Sequence, residues 1–131
     1  RQLPLTIETE PKMITLDIAD DLAEAGNRVK GVCLRMHIVN LTIADTIEIE
    51  LNGKVLKCLN PLLPGKYGPL STCWQDYEVE PGCVKCGVNE FSLRLTKRNE
   101  RLAKELSIEL TDLELAINYD YPNGKWEGLR V

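Results

Sequence analysis

The sequence predicts an all-β fold, an antiparallel β-sandwich or jelly roll of about eight strands with minimal helix. Three observations carry this. Most apolar residues recur at every second position, the spacing that puts them on one face of a strand. Asn52-Gly53 is the preferred dipeptide of a two-residue hairpin. Turn signals rich in Pro, Gly and Asn separate the alternating runs, while runs of helical period are all but missing.

The elements follow in order. Met13, Ile14, Leu16 and Ile18 form a first strand after the punctuation of Pro4 and Pro11. Residues 20–28 allow one helical turn through Leu22, Ala23 and Ala25, ended by Gly26-Asn27. In the next run Val32, Leu34, Met36 and Ile38 share one face, and Cys33, Arg35, His37 and Val39 share the other. Apolar character on both faces suits a central strand. Around Asn52-Gly53, Leu51 is expected opposite Lys54, Ile49 opposite Leu56, and Glu48 opposite Lys57. Residues 59–74 hold three prolines and two glycines without a period and read as a long loop. A strand over residues 77–80 leads through the Pro81-Gly82 turn into another carrying Phe91, Leu93 and Leu95 on its inner face. Residues 97–105 are a charged connection. The last long run changes phase: Leu106, Ile108 and Leu110 are even-numbered, whereas Leu113, Leu115, Ile117 and Tyr119 are odd-numbered. A one-residue slip reverses every side chain, so a β-bulge or bend is expected near Thr111-Asp112. Residues 121–126 read as a turn that carries Trp126 back to the body.

Composition narrows the functional classes. At 131 residues the chain is of single-domain length, 1–131, and no repeat or linker divides it. The net charge is −4, which argues against nucleic acid or an anionic membrane surface as the main partner. No apolar run approaches the roughly 18 residues that a spanning helix needs. The chain starts at Arg1 with neither Met nor a signal-peptide core, and no catalytic set is visible, so it reads as a domain excised from a larger protein. His37 is the single histidine, which removes most hydrolase triads and multi-histidine metal centres; it reads as a surface or sheet-packing residue.

Residues 29–120 carry a wider resemblance. The order of "IEIELNGKVL", an aromatic loop, "YEVEPGCVKCGVNEFSLRLTKR" and "LSIELTDLELAINY" resembles a galactose-binding-domain-like jelly roll. It is similar to the sugar-binding or accessory domains of β-galactosidase-type and β-glucuronidase-type glycoside hydrolases. The matching positions are Asn52-Gly53, Tyr77, Val79, Val84, Lys85, Gly87, Asn89, Phe91 and Leu93, and the departures are Cys83 and Cys86. Turn and strand chemistry make up the match, so it speaks to fold more than to function. Related jelly rolls often hold a structural calcium, for which the resemblance offers Asp17, Asp20 and Asp21.

The five cysteines leave three readings open. Cys83 and Cys86 form half of a zinc site, with Cys58 and Cys73 as the remaining ligands. Disulfides among Cys58, Cys73, Cys83 and Cys86 would staple the long loop and favour an extracellular or cell-surface location. Alternatively "PGCVKCGVN" is a tight connection between two strands, shaped by Gly87 and Asn89, that happens to carry thiols. Cys33, within a central strand, reads as a buried thiol.

The aromatics point to a ligand. Trp74, Tyr77 and Tyr67 lie in or beside the long loop, and Trp126 and Tyr121 in the C-terminal turn. Exposed aromatic planes stack on the C–H faces of sugar rings, with Gln75, Asp76, Arg98 and Asn99 as polar partners; the competing role for such tryptophans is to cap the core. The acidic residues read as solvated strand faces, because a glycosidase pair needs a cleft that spacing alone does not supply. The expected protein is therefore a non-catalytic module of a secreted carbohydrate-active enzyme. It would bind a polysaccharide or oligosaccharide and neighbour a catalytic domain, with no cofactor beyond a candidate calcium. The competing reading is a structural or protein-interaction sandwich packed on that catalytic domain.

Overall fold

A computed structural model of the chain describes residues 2–19, Leu22, and residues 29–62, 71–98, 106–119 and 126–131. The described strands are β1 (Leu5–Ile7), β2 (Lys12–Ile18), β3 (Val29–Leu41), β4 (Thr46–Leu51), β5 (Lys54–Val55), β6 (Lys57–Cys58), β7 (Ser71–Val79), β8 (Gly87–Lys97), β9 (Ile108–Tyr119) and β10 (Trp126–Arg130). They form two antiparallel sheets. The larger has the order β1-β9-β3-β7-β6, with β10 also paired to β9, and the smaller has the order β2-β8-β4-β5.

The all-β expectation holds, and alternation explains how the sheets meet. Val32, Leu34, Met36 and Ile38 of β3 face inward, as do Ile14, Leu16 and Ile18 of β2 and Phe91, Leu93 and Leu95 of β8. Together with Leu110, Leu113, Leu115 and Ile117 of β9 they make one core between the sheets. β3 is the central strand that its two-sided pattern predicts, flanked by β7 and β9.

Two local expectations are met closely. Asn52 and Gly53 have φ of 50° and 88°, the left-handed pair that a type I′ turn requires, and Leu51 pairs with Lys54. The Leu56 N–H donates to the Ile49 carbonyl at 2.9 Å. In β9, His37 pairs with Asp112 but Ile38 pairs with Leu110, so Thr111 is the extra residue of a bulge. That bulge keeps both Leu110 and Leu113 buried despite their opposite parity.

Three expectations need correction. The Glu48–Lys57 pair does not form, because the chain leaves the small sheet after Val55 and Lys57 pairs with Glu78 in the large one. Arg94 takes its place beside Glu48, with a 3.1 Å contact. The loop placed at 59–74 ends earlier: β7 begins at Ser71, so Trp74, Gln75 and Asp76 lie on a strand. The strand count rises above eight through the short β1 and β6 and through β10, which begins at Trp126; residues 121–125 of the expected turn lie outside the described residues. The helical turn at 20–28, apart from the buried Leu22, lies outside the described residues, as do residues 99–105 of the charged connection expected at 97–105, whose Lys97 ends β8.

The connection from β7 to β8 is held by two asparagines. Pro81–Cys83 form a 3-10 turn and Gly87 adopts φ 100°, which a side chain would resist. Asn89 is fully buried; its Oδ1 accepts from Lys85 N at 2.7 Å, and its Nδ2 donates to the carbonyls of Lys85 and Gly87. Asn52 Nδ2 bonds Asn89 Oδ1 at 3.0 Å and the Cys83 carbonyl at 2.7 Å, so the hairpin turn braces the connection. The reading of "PGCVKCGVN" as a shaped inter-strand connection describes it well.

Candidate functional site

Strand alternation divides the residues around Trp74 between two faces of β7. Trp74 and Asp76 point out of the sandwich and are half-buried, whereas Gln75 and Tyr77 point into it, 6% and 3% exposed. The Tyr77 hydroxyl donates to Gln75 Oε1 at 3.1 Å. Burial pushes the Tyr77 phenol well above its ordinary range, and the neighbouring Cys58 and Cys73 thiols add to this. Tyr77 and Gln75 therefore lie on the inner face of β7, away from Trp74.

The register of β3 against β7 builds the outer face. His37 lies opposite Trp74, and Arg35 opposite Asp76. The Arg35 guanidinium sits 5.0 Å from the Trp74 ring centre, a cation–π contact of about 0.5–1 kcal/mol at such half-exposed positions. The His37 ring centre is 5.1 Å from that of Trp74, with the planes tilted by 54°. His37 Nδ1 lies 2.6 Å from Thr111 Oγ1, so the β9 bulge holds the imidazole in place. Arg35 also contacts Asp76 at 3.4 Å and Glu114 at 3.8 Å, and Glu114 contacts Arg130 at 2.8 Å. A depression of about 380 Å³ lined by Cys33, Arg35, Glu114 and Ala116 adjoins this cluster. On its floor Cys33 is held protonated by burial, with Asp76 second.

The backbone of Trp74 is fixed from its other side. Asn60 Nδ2 donates to the Trp74 carbonyl at 3.1 Å, and Asp76 N–H donates to Asn60 Oδ1 at 2.7 Å. A side-chain amide thus stands in for the missing strand pairing beyond the two-residue β6. What results is an aromatic plane flanked by a cation, an imidazole and carboxylates on a rigid sheet, able to stack on a ligand and hydrogen-bond its rim.

The other expected site residues are distributed differently. Arg98 is withdrawn from the surface: its Nη1 lies 3.2 Å from the fully buried Asp45 carboxylate, and its Nη2 donates to the Leu106 carbonyl. These contacts hold its guanidinium apart from the Trp74 cluster. Tyr67, Tyr121, Asn99, Asp20, Asp21 and the side chain of Trp126 lie outside the described residues. Asp17 is exposed on β2. All five cysteines are free thiols, so the expected disulfides are not formed. Among the described residues no three His, Cys, Asp or Glu side chains gather as metal ligands, so Cys58, Cys73, Cys83 and Cys86 do not converge on a zinc site. Burial raises both the Cys58 and the Cys73 thiol, further from the thiolate that zinc takes.

Sequence reasoning missed Arg35 as a partner of Trp74 and gave His37 only a packing role. Alternation on β3 did place both on one face, but meeting Trp74 depends on the β3–β7 register, which no local signal encodes. Asn40 and Thr42 shape the end of β3. Asn40 adopts φ 65° and donates to the Ser107 carbonyl at 3.0 Å, and the Thr42 hydroxyl bonds Asp45 at 2.9 Å. No protein-family model matches the chain, and no curated protein matches it. The class defined by fold and site is thus an antiparallel two-sheet β-sandwich with a polar-aromatic cluster on its larger sheet.

Proposed function

We propose that this chain is a non-catalytic glycan-binding module, an accessory domain to a carbohydrate-active enzyme outside the cell or at its surface. The observation that carries the proposal is the placement of Trp74 on the outer face of the large sheet with Arg35, His37 and Asp76 around it. A sugar ring needs one flat apolar surface and several directional polar groups, and this cluster supplies both. The adjoining depression over Cys33 and Ala116 extends the surface along β3 and β9. A galactose-binding-like jelly roll, the family that the motifs around Asn52-Gly53 and Asn89 resemble, is the finer form of this reading.

Titration of the chain with soluble poly- and oligosaccharides, followed by tryptophan emission and calorimetry, tests it. Saturable binding should weaken at least tenfold in Trp74→Ala and also in Arg35→Ala, with the circular dichroism spectrum unchanged. Absence of heat and of emission change across a broad panel would overturn the proposal and favour a protein-facing accessory domain.

A further inference from the structure

The inward half of β7 builds a second site, independent of Trp74. At the edge of the two sheets lies a half-open cavity of about 190 Å³ whose apolar walls include Leu41, Ile47 and Leu62 and whose polar lining includes Thr46, Gln75 and Tyr77. The half-exposed Ile43 also lines it. Asp45, in the same wall, is engaged by Thr42 N–H and the Thr42 hydroxyl, each at 2.9 Å, and by Arg98. Tyr77 is engaged by Gln75 Oε1. The Gln75 amide nitrogen is the exception: it carries two N–H donors on a side chain 6% exposed, and it meets no acceptor among the described residues. Leaving such a donor unmet costs about 1–3 kcal/mol, and folded interiors rarely do so.

We infer that this cavity binds a small neutral ligand, about the size of a six-membered ring, that carries a hydrogen-bond-accepting oxygen. Size follows from volume, since an apolar cavity of roughly 150 Å³ accommodates a benzene ring. Neutrality follows from Asp45, the one charged residue in the lining, whose carboxylate is already met by Thr42 and by Arg98 behind it. The acceptor follows from Gln75. Water is held loosely on the side formed by Leu41, Ile47, Pro61 and Leu62, which offers it no hydrogen-bond partner. Displacing loosely held water with an apolar ring gains affinity.

The probe for this test is cyclohexanol, followed by amide NMR on the uniformly labelled 131-residue chain, with cyclohexylammonium and cyclohexanecarboxylate as charged controls. Cyclohexanol should give saturable shifts in the Gln75 side-chain amide and in the backbone amides of Leu41, Ile47 and Tyr77. The charged analogues should bind at least tenfold more weakly. Gln75→Leu removes one net hydrogen bond and should weaken binding about threefold to tenfold. Ile47→Phe, which fills the cavity, should abolish it while the circular dichroism spectrum stays unchanged. Trp74→Ala should leave it unchanged, which separates failure here from failure of the glycan proposal. Absence of saturation up to the solubility of cyclohexanol, shifts that persist in Ile47→Phe, or a bound water alone at the Gln75 amide would each overturn the inference.

Discussion

Single residues in this protein differ in weight according to whether water reaches them. Two arginines make the comparison directly. Arg94 pairs with Glu48 on the outer face of the small sheet, with both side chains well hydrated. Arg98 pairs with Asp45, whose side chain is fully buried, and is itself only 15% exposed. In water-filled surroundings Coulomb attraction is offset by side-chain entropy and screening, so an exposed pair contributes about 0–1 kcal/mol. Removing one partner of a buried pair instead leaves an uncompensated charge, at about 3–5 kcal/mol. Urea denaturation should therefore show Arg98→Met losing on the order of 3 kcal/mol and Arg94→Met less than about 1. Equal losses would mean that Asp45 is supported mainly by Thr42 and not by Arg98. The thiols follow the same logic: burial holds Cys33, Cys58 and Cys73 protonated, whereas Cys86 is exposed. Neither arginine advertised its role in the sequence, because only tertiary placement separates a buried partner from a solvated one.

At the scale of elements, β9 shows how one extra residue is absorbed. Without Thr111 the strand would read Ile108, Leu110, Leu113, Leu115 and Ile117 in unbroken alternation, all on the core face. Deleting Thr111 should therefore leave a soluble, cooperatively unfolding protein that has lost the His37–Thr111 contact. Deleting Glu114 removes a residue from the regular segment, turning Leu113 or the stretch beyond it outward. That variant should fail to fold, as judged by circular dichroism and amide dispersion. Failure of both deletions would show that the bend at the bulge, and not only the parity it restores, is needed. The bulge was legible in the sequence because parity is a local property, as was the Asn52-Gly53 turn with its positive φ. The start of β7 was not legible. Its outward Trp74 and Asp76 are stabilised by β3 on one side and by Asn60 on the other, and both partners are distant or disguised in sequence. Gln2 uses the same device on the free edge of β2, where its amide bonds the backbone N–H and carbonyl of Thr15 at 2.6 and 2.8 Å. An edge residue paired in this way is closed to a further strand. These amide plugs also explain why the candidate site was only half readable. Alternation alone could divide β7 into Trp74 and Asp76 against Gln75 and Tyr77, but the partners of each half come from other strands.

The whole molecule is bound together by how often the chain changes layer. It crosses between the sheets from β1 to β2, β2 to β3, β3 to β4, β5 to β6, β7 to β8 and β8 to β9. Neither sheet is a continuous stretch of sequence, so neither forms while the other is unmade. The core repeats the point, since Phe91, Leu93, Ile49 and Leu51 of the small sheet share one buried cluster with Met36, Ile38, Leu110 and Leu115 of the large one. The Asn52–Asn89 brace adds a polar link between the hairpin turn and the crossover connection from β7 to β8. Such a topology predicts a single cooperative transition despite its layered appearance. In a Trp126→Phe background, tryptophan emission reports on Trp74, at the outer face of the large sheet, while far-ultraviolet circular dichroism reports on both sheets. In urea the two curves should coincide in midpoint and slope. Removing the brace by Asn89→Ala leaves Lys85 N–H and two carbonyls without their partner, which should shift both curves together by about 3 kcal/mol. If emission changed before circular dichroism, the outer face of the large sheet would be opening separately from the core. The rigid platform on which the Trp74 site depends would then be lost, and glycan recognition by that cluster would require ordering on binding rather than a surface already in place.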